Sequence, residues 1–324
     1  LEELSSPHLL VIGDLILDQY TWGDAERISQ EAPVIVLRAD HTESRLGGAA
    51  NVCAMLNGLE ARVACAGVVG DDEAGRELRQ MLEDDAVDHE LVVVDPSRPT
   101  TVKQRYIGRA AARHPNQILR VDRETREPLE RRLEDELTRS LQATVARFDA
   151  VLISDYGKGV CSSRLLRATI EACRFAGVPV LVDPRRTDDY TIYRGATVLK
   201  PNRLETEQAT GCRIKVPEDA FRAGERLCHQ LELETAIITL DRDGMALVPA
   251  RGDGQIYATR PRAVYDITGA GDIVLAVLGI CWAGGISPAE AVQLGNVAGA
   301  LEVERTGVAK VLREEIREEL VTQS

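Results

Sequence analysis

The stretch "HLLVIGD", residues 8–14, sets four apolar side chains in an unbroken row and stops on an acid. A strand with one wet face would alternate. A continuous Leu/Val/Ile row reads as a strand buried on both faces, as in a parallel sheet. Four further runs repeat the pattern: "AVLISDY" stops at Asp155, "VPVLVDP" at Asp183, "ATVLKPN" at Asn202 and "TAIITLD" at Asp241. Around them lie stretches with helical periodicity, at 47–58, 73–84, 162–176, 217–231, 272–284 and 288–303. This alternation predicts an α/β fold of β-α-β units, a mostly parallel sheet flanked by helices on both faces. In such open sheets ligands bind beyond the carboxyl ends of the strands, where the polar stops fall. Taken singly, such a stop more often only opens a turn; five together, with Asp272, fit that reading less well.

Residues 18–48 and 100–122 break the pattern. They alternate apolar and polar residues without a helical period, as hairpins of a small antiparallel sheet with one wet face do. Following the first strand and the run "ELVVVD", they would form a lid, over about 18–46 and 100–122, on a single domain spanning 1–324. The apolar face of that lid would be exposed in a monomer. Pairing two lids across a two-fold axis would cover it, so a homodimer is expected.

The length of 324 residues suits one main domain with a small appendage. Apolar residues, 44% of the chain, supply a core, and no run of them is long enough to span a bilayer. The opening "LEELSSPHLL" lacks the basic and apolar regions of a secretion signal. Seven cysteines form no CxxC pair and no ligand-like cluster with the five histidines, which fits reduced thiols in the cytoplasm. The net charge of −13 argues against nucleic acid and anionic membranes as partners. A small phosphorylated substrate stays open, because it meets only its pocket.

Three segments carry the chemistry. "YDITGAGDIVLAVLGI" (265–280) places Gly269, Ala270, Gly271 and Asp272 ahead of an apolar helix. Small residues there expose backbone N–H groups at a helix start, which carries partial positive charge and suits an anion. Asp272 is then either a cap or a base beside a bound phosphate. "RLGGAANVCAML" (45–56) reads as a tight loop, or as Gly47 and Gly48 admitting a ligand to which Asn51 offers an amide. In "KPNRLETE" (200–207), Asn202 and Glu205 form either a capping box or an amide–carboxylate pair orienting hydrated Mg²⁺ on nucleotide phosphates. No GxxxxGK[ST] loop and no GxGxxG after the first strand is present, which removes P-loop NTPases and ordinary dinucleotide enzymes.

The order "GGAAN", "PNRLE", "DITGAGD" resembles the ribokinase-like, or phosphofructokinase B, carbohydrate kinases over nearly the whole chain. More narrowly, "ISQEAPV" (28–34), "SDYGKG", "RGATVLKPNRLE" and "VYDITGAGD" are similar to the D-glycero-β-D-manno-heptose 7-phosphate kinases of ADP-heptose synthesis. That resemblance implies an ATP- and Mg²⁺-dependent kinase with Asp272 as catalytic base and Gly269, Ala270, Gly271 and the Asp272 amide as anion hole. It implies sugar contacts at Asp14, Gly47, Gly48 and Asn51. It puts Asn202, Arg203, Leu204 and Glu205 near the nucleotide phosphates, Thr239 and Gly244 on the nucleotide loop, and Asn296 on the adenine-side helix. Asp266 matches a position that helps bind a monovalent cation, K⁺, in many relatives. A sugar phosphate needs buried donors for its dianion. Lys103, Arg105, Arg120, Lys158 and Arg185 are candidates, with Arg105 and Lys158 preferred because their segments match the heptose kinases. Three residues depart from the family: Ile273 where Ser or Thr is usual, Arg185 for Lys, and Lys200 for a small residue. Many such kinases are fused to a nucleotidyltransferase, so a stand-alone form or a kinase fragment is expected here.

Overall fold

The computed structural model describes residues 6–109, 115–259, 269–304 and 310–323. β1 (His8–Gly13) explains the continuous apolar rows. Leu9 and Val11 enter the core on one face of the sheet, and Leu10 and Ile12 the core on the other.

The chain continues through β2 (Leu15–Ile28), β3 (Ile35–Gly48), α1 (Ala49–Gly58), β4 (Arg62–Gly70), α2 (Glu73–Asp84) and β5 (Asp88–Asp95). β6 (Thr101–Arg109), β7 (Asn116–Arg123), α3 (Arg131–Thr144), β8 (Ala150–Ser154), α4 (Ser163–Ala176), β9 (Val180–Asp183) and β10 (Val198–Leu199) follow. Last come α5 (Arg203–Thr210), α6 (Asp219–Leu231), β11 (Thr235–Thr239), β12 (Met245–Pro249), β13 (Gln255–Tyr257), α7 (Ala270–Ala283), α8 (Pro288–Val303) and α9 (Arg313–Gln323).

Among the described residues nine strands form the main sheet, in the order β13-β12-β11-β10-β9-β8-β1-β4-β5. Neighbours from β11 to β5 run parallel, and β12 and β13 turn back antiparallel at one edge. β1 has β4 on one side and β8 on the other, so the crossovers leave it in opposite directions. A crevice opens beyond the carboxyl ends of strands at such a point. Side chains of α1, α2, α7, α8 and α9 build the core on one face; those of α3, α4 and α6 build it on the other.

Several details differ from the sequence expectation, beginning with β4, β12 and β13, which no quoted run announced. Gly47 and Gly48 end β3, so α1 starts at Ala49. α7 starts at Ala270, which puts Asp272 inside the first turn. Helices α3 and α9 were not foreseen; their apolar stripes, Leu133, Leu137 and Leu141 in one and Ile316 and Leu320 in the other, are narrow and set among charges. The lid sheet, ordered β3-β2-β6-β7, contains the two expected antiparallel hairpins, but β2 and β6 join them in parallel. β2 follows β1 and β6 follows β5, two strands of the same direction in the main sheet, so both leave from its carboxyl side and only their return strands oppose them.

Candidate active site

α7 is apolar all round and buried from Asp272 to Cys281, so it is an internal helix whose first turn opens on the crevice. Gly269 precedes it with φ 94°, a left-handed conformation that a side chain would strain. Gly269 has no side chain to cap the helix, and among the described residues no side chain caps its start.

Asp272 is not a cap. Its Oδ2 accepts from Asn51 Nδ2 at 2.7 Å and its Oδ1 from the Tyr156 hydroxyl at 3.0 Å. Burial pushes its carboxyl up to about 7; Asp183 adds to the rise, while the Asn51 and Tyr156 hydrogen bonds and Lys200 oppose it. A carboxylate poised near neutrality suits general-base work. Ile273, the departure beside it, is fully buried core.

Lys200 Nζ pairs with Asp183 Oδ2 at 2.9 Å. A Cβ on Gly271 would lie 3.5 Å from that oxygen and 3.6 Å from that nitrogen, so the pair borders the small-residue turn. The sequence flagged Lys200 only as a departure; the fold buries it beside the start of α7.

Asp14 is buried and accepts three backbone N–H groups, from Tyr156 (2.8 Å), Lys158 (3.0 Å) and Val160 (3.2 Å). Burial raises its pKa, and these donors oppose the rise. Asp155, raised to about 6 chiefly by burial, accepts from Tyr193 Oη at 2.7 Å and from Gly157 N at 2.8 Å, with Arg185 3.8 Å away. The two acids thus fasten the 155–160 loop over the crevice. Tyr156, which bonds Asp272, is the site residue the sequence reading missed; its one signal was its place directly after a strand-end acid, within the quoted "SDYGKG".

Gly47 stands so close to Asp18 that a Cβ would overlap the carboxylate. Gly48 and Asn51 connect this lid base to Asp272. On the lid, Arg105 pairs with the buried Asp18 at 2.5 Å and lies 5.1 Å from the Tyr20 ring centroid. Lys103 sits 5.0 Å from the Tyr156 ring centroid, its pKa lowered first by burial. Lys158 pairs with Glu124 at 2.5 Å, and Arg120 with Asp122 at 2.9 Å. Lys103 thus reaches the 155–160 loop, with Arg105, Lys158 and Arg120 as neighbouring cations. Arg120, opposite Arg105 in the β6–β7 register, is the outer member.

Asn202 and Glu205 do form the capping box of α5: Glu205 N donates to Asn202 Oδ1 at 2.9 Å and Asn202 N to Glu205 Oε2 at 2.8 Å. Glu205 is nonetheless raised by burial, and Asp183 adds to that. A half-buried carboxylate with one oxygen outside the box fits water-mediated binding of Mg²⁺, an ion that keeps several waters. Arg203 is turned to the loop after β11, bonding Asp241 (3.1 Å), Asp243 (2.6 Å) and the carbonyls of Ile214 and Leu240. The Leu204 side chain is exposed. Thr239 N donates to Pro201 O at 3.0 Å, beside Asn202. Gly244 lies against the Tyr257 carbonyl, which accepts Asn296 Nδ2 at 2.8 Å. Thr239, Gly244 and Asn296 thus line one end of the sheet edge next to α5. Asp266 lies outside the described residues.

Known proteins resemble this chain in sequence and in fold. The bifunctional protein HldE of Geobacter metallireducens is 45% identical over 307 residues, 95% of this chain and 61% of that one. HldE of Helicobacter hepaticus is 41% identical over 321 residues, 99% of this chain and 65% of the relative. The chain spans about three-fifths of the length of the curated relatives it matches first. Ribokinase of Arabidopsis thaliana, solved with ribose and ATP, shares the fold at TM-score 0.75 and 21% identity, over 98% of this chain and 99% of that one. The family described as pfkB family carbohydrate kinase matches residues 6–315. A ribokinase-like fold, an open helix start with a buried acid behind it and that match agree: the chain belongs to the pfkB family of carbohydrate kinases.

Proposed function

We propose that this chain transfers the γ-phosphoryl group of ATP to the anomeric (O1) hydroxyl of D-glycero-β-D-manno-heptose 7-phosphate, giving the 1,7-bisphosphate for ADP-heptose synthesis. One observation carries the reading: a buried acid raised to about 7 stands directly behind a helix start that no described side chain caps, under a lid whose Lys103 lies over its partner Tyr156. The choice of sugar draws on the 28–34 segment and on the likeness to the bifunctional HldE proteins.

Asp272 accepts the proton of the sugar hydroxyl as its oxygen bonds to phosphorus and the bond to ADP breaks. The N–H groups at Ala270, Gly271 and Asp272 and the Lys200 ammonium stabilise charge on the transferring oxygens; alignment, rather than covalent chemistry, carries the rate. Mg²⁺, held through water at Glu205, would neutralise nucleotide phosphate charge when bound. Asp14, Gly47, Gly48 and Asn51 border the sugar, with Lys103, Arg105 and Lys158 around its phosphate. Asn202, Thr239, Gly244 and Asn296 border the nucleotide. Asp266 is the proposed point of K⁺ binding. A homodimer through the lids is supported by Ile28, Ile35, Leu119 and Val121, all exposed on the lid. A cytoplasmic site is supported by cysteines that are all free thiols.

ADP release across a panel of sugars tests the assignment. Turnover is expected with the heptose 7-phosphate and little with unphosphorylated sugars. The reverse pattern overturns the sugar, and binding without any ADP release overturns the kinase reading in favour of a sensor.

A further inference from the structure

Tyr156 stands between the lid and the base. Its ring is partly exposed and carries the Lys103 ammonium 5.0 Å from its centroid, while its hydroxyl reaches inward to Asp272 Oδ1 at 3.0 Å. Asn51 fills Oδ2 at 2.7 Å. Each oxygen of the base therefore accepts a hydrogen bond before any substrate arrives, and such bonds weaken its pull on a further proton. The other charged groups facing this pair are Asp183 from β9, Lys200 after β10 and Asp18 from β2. Asp183 and Lys200 are paired with each other, and Asp18 with Arg105.

We propose that Tyr156 is a positioning residue that restrains Asp272 until the sugar hydroxyl replaces the phenol, and that Lys103 couples this exchange to the arrival of the sugar's phosphate. The inference rests on Asp272 being the base. An ammonium over a ring face is held weakly next to its pairing with a phosphate dianion. A sugar phosphate entering under the lid therefore draws Lys103 off the ring and frees Tyr156 to move. Without sugar, the competing reaction is attack by water: its oxygen bonds to the γ-phosphorus, the bond to the ADP oxygen breaks, and a water proton passes to Asp272. The phenol opposes that last transfer. With sugar present the same bonds form and break, and the proton comes from the sugar hydroxyl.

Tyr156→Phe keeps the ring and removes the hydroxyl. Two quantities report on it: sugar-free ADP release at a pH well above the acid limb, and the position of the acid limb of kcat/KM. The sugar-free rate is expected to rise about tenfold, the worth of one hydrogen bond to a charged group. The limb is expected to move up by about one pH unit, because the lost bond favoured the ionised base. A merely structural tyrosine would move neither. Tyr156→Leu, also without the hydroxyl, should repeat the rise if the Phe variant folds poorly. Wild-type sugar-free release in either folded variant overturns the inference. Asp272→Asn is assayed alongside: surviving turnover there sinks the base itself, whereas lost turnover with unaltered Tyr156 variants sinks only the role of Tyr156.

Discussion

As the proposed base, Asp272 meets two opposing requirements, since a base must be charged to take a proton and burial penalises that charge. Its pKa of about 7, against 3.8 in the unfolded chain, is the outcome. A folded-state pKa above the unfolded one means the folded chain binds the proton more tightly. The resulting contribution is full below about pH 4 and is lost as pH rises through 7. At most it amounts to about 4 kcal/mol, roughly three pH units of differential binding. Asp272→Asn removes this titration, so it is expected to melt above wild type at alkaline pH and to lose the advantage on acidification. Melting curves across pH check this, and an advantage that does not vary with pH contradicts it. Asp272 and its glycines were legible in the sequence because they are adjacent. Asn51 and Tyr156, which bind its two oxygens, come from 221 and 116 positions away, and no local spacing announces such contacts.

The lid is the element where sequence and structure diverge most usefully. Alternation exposed its hairpins, but not the parallel joint between β2 and β6, which depends on where both strands leave the body. That joint sets Asp18 beside Lys103 and Tyr20 beside Arg105. Arg105, preferred from sequence as a phosphate ligand, is bound to Asp18 with both side chains nearly buried. Removing one partner of a buried ion pair strands the other charge. Arg105→Ala is therefore expected to lower unfolding stability by about 3–5 kcal/mol and to raise KM for the sugar phosphate more than for ATP. Lys103→Met should raise the same KM with a smaller stability loss. Denaturant melts beside steady-state kinetics separate them; a fully stable Arg105→Ala would contradict the buried-pair account. At α5 the capping-box reading of Asn202 and Glu205 proved correct for geometry, and burial leaves Glu205 suited to a second use.

At the scale of the whole molecule, the continuous apolar runs and the helices between them specified the main sheet, since two-sided burial admits few other patterns. β4, β12 and β13 were not read from the sequence, nor were the narrow stripes of α3 and α9. The exposed lid side chains Leu119 and Val121 are expected to be covered by a second lid. Light scattering should give twice the chain mass, and Leu119→Glu with Val121→Glu should halve it; a monomeric wild type at working concentration contradicts this. The central claim concerns one carboxylate and one helix start acting together, and ADP release by Asp272→Asn with ATP and sugar phosphate both saturating tests it most directly. Turnover is expected to fall by about 10²–10⁴-fold with the melting transition intact. Turnover within a few fold of wild type would contradict it.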